Sequence, residues 1–177
     1  MDKNLTISKL DAAKRQLETA IRLYFSNGDP VSIHTLTAAA HNIIRDVTKR
    51  RGNELMLVKD QLLEYLKPDF RKIFKEKLNE AENFFKHADR DHEATLNFNP
   101  DRSEFLIIDA CSQYCKLTGE DPPLFQIYRG WFMANNQDLF TSPVQTQVLN
   151  ATASMIVGMG RVGYFNTMLP LVMGMRT

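Results

Sequence analysis

Cysteine is almost missing from this chain. There are two, Cys111 and Cys115, four apart on a segment with helical spacing. They share one helix face, where a disulfide between them is geometrically awkward. The chain therefore has no disulfide framework, and the pair reads as buried thiols of a reducing cytoplasm. Charge of one sign is missing too: 22 Lys and Arg against 21 Asp and Glu leave a formal net charge of +1. No global field draws such a chain to nucleic acid or acidic lipid, although a local basic patch is compatible with it. Long apolar runs are scarce. The opening MDKNLTISKLDAAKRQ has no apolar core, so no secretory signal is expected there. Residues 153–175 are the one stretch long enough to weigh as a membrane span, and Arg161, Asn166, Pro170 and four glycines interrupt it. No membrane association is expected.

What is present is ordinary for a globular protein: 44% hydrophobic and 24% charged residues in 177 positions, which suits one domain. The charges are unevenly spread. Residues 1–102 hold 18 Lys/Arg and 16 Asp/Glu, whereas residues 103–177 hold 4 and 5. The C-terminal part is thus apolar and is expected to be core or interface. Its large side chains, including Trp131, Phe132, Phe140, Tyr164 and Phe165, lead to the expectation of a homodimer with an apolar two-fold interface.

Periodicity predicts an all-α helical bundle of about seven or eight helices. Leu10, Ala13, Leu17, Ala20, Ile21 and Tyr24 make one stripe over residues 8–25, with Ser8 and Asp11 as a capping box. Gly28, Asp29 and Pro30 stop that helix and start the next, which carries Ile33, Leu36, Ala40, Ile43, Ile44 and Val47 over residues 30–49. His34 and His41, seven apart, lie on a flank beside that stripe together with Arg45, and Lys49, Arg50 and Arg51 form a solvated helix end. A third helix is predicted over 54–66 and a fourth over 69–88, with Asn83 and His87 stacked on its flank. Residues 89–102 read as a polar loop. Asp101 and Glu104 form a second capping-box pattern ahead of Phe105-Leu106-Ile107-Ile108, apolar on every side and therefore central. Pro122-Pro123 and Thr141-Ser142-Pro143 open two later helices, and an apolar segment over 164–173 ends the chain.

Two chemical patterns need weighing. Gly158, Gly160 and Gly163 spell a dinucleotide-binding G-x-G-x-x-G. That turn needs a following helix and an acidic residue about twenty positions on, but only fourteen residues follow and none is acidic. A glycine-rich helix break is the better reading. His34, His41, His87, Asp89, Asp91 and His92 could instead hold a divalent metal in a helical-bundle enzyme, since bundles bind metals by bringing His and carboxylates from facing helices together. Their spacing matches no specific metal motif.

The segment Glu82-Asn83-Phe84-Phe85-Lys86-His87 resembles the active-site helix of the HEPN superfamily of helical bundles. That family's motif is an Arg, often followed by Asn, with a His one to two turns after the Arg. Here Asn83 and His87 match, and Glu82 occupies the Arg position. The resemblance covers this motif and a helical context over about the first 120 residues. It implies a module that binds nucleic acid or a protein partner, or a degenerate metal-independent RNase needing no cofactor. The His would serve proton transfer, with a cation stabilising phosphate charge. The residues expected to act are His87, Asn83, Arg90 and His41, with His34, His41, Asn83, His87 and Arg90 converging on one site. A purely structural interaction protein is the remaining alternative.

Overall fold

A computed structural model describes residues 4–52, 80–89, 92–139 and 143–174. The predicted helix over 54–66 and the first part of that over 69–88 lie outside the described residues. Those described form six α-helices and no strand: α1 (Lys9–Phe25), α2 (Pro30–Arg50), α3 (80–86), α4 (Arg102–Thr118), α5 (Pro123–Asn135) and α6 (Pro143–Gly174). The chain is all-α, as its periodicity predicts. The predicted helix from Pro143 and the apolar segment over 164–173 both lie in α6, which is two helices meeting where Gly160 leaves helical geometry at φ 64°.

Local chemistry sets the helix ends. Ser8 Oγ accepts from the Asp11 N–H at 3.0 Å to start α1, and Asp29 accepts from the Ser32 N–H at 2.7 Å to start α2 with Pro30 in its first turn. Between them the Gly28 N–H donates to Leu23 O and the Asn27 N–H to Tyr24 O, a Schellman closure. The left-handed residue is Asn27, at φ 55°, and not the expected Gly28. Asn tolerates that region because its short amide bonds locally. At α4 the expected capping box is absent: Asp101 makes no side-chain cap bond, and Glu104 instead accepts from the Tyr24 hydroxyl.

The core explains the lopsided charge distribution. α4 buries residues all around, among them Leu106, Ile107, Ile108, Ala110 and Cys111, so it is the central helix. α1 runs antiparallel to it, tied by Lys14–Glu120 at one end (2.9 Å) and by Tyr24–Glu104 at the other (2.7 Å). α2 runs in the same direction as α4, with His34 meeting Ser103 and His41 meeting Asp109. Phe25, 1% exposed, stacks on Phe165 with centroids 4.7 Å apart and meets Tyr128, Trp131 and Tyr164 edge-on or tilted. Trp131, Phe132 and Tyr164, on which the expected interface partly rested, are buried within one chain. Among the described residues no helix is long and apolar enough to cross a membrane.

Phe25 is the residue where α1, α5 and α6 meet. Phe25→Ala should lower unfolding stability by about 3–5 kcal/mol, the usual cost of removing a buried ring. Urea denaturation followed by circular dichroism measures it. A loss under about 1 kcal/mol would mean the ring does not hold that junction.

Candidate functional site

α3 docks on α2 through a carboxylate and a ring. Glu82 Oε1 accepts from the Asn42 amide and from Lys86 Nζ, the latter at 2.7 Å and one turn along the same helix. Next to this anchor, Phe85 packs edge-on against His34 (centroids 5.6 Å) and against Phe98 (5.0 Å) of the polar connection before α4. With Glu82 and Phe85 turned inward, Asn83 and His87 are left exposed one turn apart, and the His87 N–H donates to Asn83 O at 3.1 Å. They line one cleft of about 660 Å³ with Phe84, Glu80, Asp89 and residues 94–96. That volume lies within the range of small-molecule sites.

The four histidines have separate surroundings. His34 is 0% exposed; its Nδ1 lies 3.0 Å from Ser103 Oγ, and its Nε2 has no hydrogen-bond partner among the described residues. Its expected place on a flank beside the stripe is thus corrected: the ring is interior, because Phe85 and Phe98 close over that flank. Burial pushes its pKa down to about 4, with Lys86 acting the same way and Glu82 opposing. His41 is half-buried and its Nε2 lies 2.7 Å from Oδ2 of Asp109, a carboxylate 1% exposed. This is a hydrogen-bonded imidazole–carboxylate contact across α2 and α4, of the kind a buried carboxylate needs. His92 is exposed, 3.9 Å from Glu93.

The cleft therefore joins Asn83 and His87, while His34 and His41 line α2 toward α4. Arg90 and Asp91 lie outside the described residues. Arg45, considered with the histidine flank, is exposed and 3.5 Å from Asp46. Among the described residues no three His, Cys, Asp or Glu side chains gather closely enough to hold a metal ion, so His34, His41, His87, Asp89 and His92 form no such group there. Sequence reasoning missed Asp109 and Ser103. Asp109 had a signal: it is a carboxylate that follows directly on the apolar run Phe105-Leu106-Ile107-Ile108, and a carboxylate there needs a partner.

No family model, curated protein or solved structure matches the chain.

The buried His34 makes stability depend on pH. Its ring stays neutral in the folded chain down to about 4, whereas in the unfolded chain it takes up a proton near 6.5. Its contribution is full above pH 6.5 and is lost as pH falls toward 4, by roughly 2–3 kcal/mol in all. Denaturation midpoints between pH 7.5 and 4.5 should fall steeply in the wild type and less so in His34→Asn, which keeps an acceptor for Ser103. Parallel slopes in the two proteins would show that His34 is not the group responsible.

Proposed function

We propose that the chain is a HEPN-like helical module that binds single-stranded RNA, taking an unstacked base into the α3 cleft without cleaving the backbone. The observation that carries this reading is the exposure of Asn83 and His87, the two residues matching the motif, one turn apart on a cleft that Phe84 also lines. An amide and an imidazole offer donors and acceptors to a base edge, and an aromatic ring offers a stacking face. Glu80 and Asp89 border the cleft.

Glu82 supports binding over cleavage. Phosphodiester cleavage needs a cation where charge develops. The position that carries Arg in the motif here carries a carboxylate committed to Asn42 and Lys86. The same reading includes a homodimer. Val162 and Met173, 41% and 55% exposed and eleven positions apart on α6 past the Gly160 break, fall on one side of that helix and supply an apolar face. Burying such a face about a two-fold axis is the commonest oligomeric solution.

Fluorescence anisotropy at low salt, with a labelled RNA of about ten nucleotides, tests the binding. Saturable binding is expected, and His87→Ala and Asn83→Ala should each weaken it about three- to tenfold, the worth of one hydrogen bond. Both side chains are exposed, so helicity should be unchanged. Absence of binding, or unchanged affinity in both variants, overturns the reading. RNA cleavage in chelator that disappears in His87→Ala overturns its non-catalytic half.

Sedimentation velocity at micromolar concentration tests the dimer. The wild type should sediment as a dimer that Val162→Glu splits without loss of helix; a wild-type monomer removes the two-fold pair.

A further inference from the structure

A second, smaller cavity lies where the end of α1, the starts of α2 and α4, and the segment of α6 just past Gly160 come together. Its volume is about 220 Å³, room for roughly seven waters at about 30 Å³ each. Tyr24, Asp101, Ser103, Glu104 and Arg161 supply its polar lining, and a network of hydrogen bonds ties Tyr24, Glu104 and Arg161 to residues behind them. The Tyr24 hydroxyl donates to Glu104 Oε1 at 2.7 Å and accepts from Trp131 Nε1 at 2.9 Å. The Tyr128 hydroxyl donates to the Glu104 backbone carbonyl at 3.0 Å. The Arg161 guanidinium lies over the Tyr24 ring, 4.4 Å from its centroid, and its Nε donates to Asn27 Oδ1 at 3.1 Å. Two left-handed residues shape that last contact: Asn27 itself, and Gly160, whose break in α6 directly precedes Arg161.

The network brings a cation from α6 and a carboxylate from α4 to one cavity. Tyr24, 5% exposed and itself bonded by Trp131, contacts both, with Asp101 at the rim. An anionic ligand would meet Glu104 and Asp101, and a cationic one would meet Arg161. A ligand carrying both charges is opposed by neither. Desolvation pushes the Glu104 carboxyl pKa up, and Arg161 opposes this. A ligand ammonium would favour the ionised carboxylate in the same way.

We propose that this cavity binds a small zwitterion of the amino-acid class, its carboxylate on Arg161 and its ammonium against Glu104 and Asp101. The site is separate from the α3 cleft, and its ligand is independent of RNA binding there.

Trp131 is the chain's single tryptophan and sits in the network, so its emission reports on the cavity. Full-length protein is titrated with L-alanine and L-serine, and with acetate and ethylammonium as ligands carrying one charge each. A saturable change is expected with at least one amino acid and with neither single-charge probe. Arg161→Gln and Glu104→Gln, checked for wild-type helicity by circular dichroism, should each weaken binding about tenfold or more. If either variant loses helix, Asp101→Asn serves in its place, because Asp101 is exposed and makes no side-chain cap bond. It should weaken binding about threefold, as removal of a partly screened charge does. No saturable response to either amino acid overturns the proposal. So does an equal response to acetate or ethylammonium, or wild-type affinity in the folded variants.

Discussion

A carboxylate carried into the core at Asp109 has to be met, and the rest of the arrangement depends on how α2 meets it. A charge 1% exposed cannot be left alone, because its desolvation is not repaid by packing. His41 approaches to 2.7 Å, and this contact sets the register of α2 against α4. Once that register holds, His34 falls opposite Ser103, six positions before Asp109 on α4, and the two helices run in the same direction. α1 follows by its short connection to α2 and lies antiparallel to α4, closing on Glu120 through Lys14 and on Glu104 through the Tyr24 hydroxyl. α3 then docks through Asn42 and Glu82, and the cleft is what remains exposed on its outer flank.

Much of this was legible in the sequence because helix geometry is written at short range. The stripe over α1, the caps at Ser8 and Asp29, the break near Gly160 and the centrality of Phe105–Ile108 each follow from neighbours within a turn or two. Asn83 and His87 were legible for the same reason: four-residue spacing places them on one flank, and the structure has them on one cleft. What was not legible is long-range. The motif-like pattern at Asp101 and Glu104 predicts a cap, but Tyr24, eighty positions away, offers Glu104 a shorter and more buried partner. His34 looked peripheral because its flank is polar in sequence, and only the arrival of Phe85 and Phe98 makes it interior. The apolar surplus of the C-terminal half also has a tertiary explanation, since Phe25 of α1 receives much of it.

The four histidines show how burial and partners divide one residue type into different roles. His34 is sealed and kept neutral, so it can neither meet a ligand nor exchange protons at ordinary pH. His41 is half-buried, and its Nε2 is engaged by the buried Asp109 carboxylate, so the ring serves the α2–α4 contact and does not line the cleft. His92 is exposed on a turn, 3.9 Å from Glu93. His87 alone among them combines access to solvent with a concave surface, a neighbouring amide one turn away and an aromatic wall. A ring that binds must be reachable and backed by neighbours that are not themselves needed to hold the fold. Asn83 is exposed, and the neighbouring Glu82 already carries the docking of α3. Because docking falls to Glu82 and Phe85, the outward flank of α3 is left to the cleft.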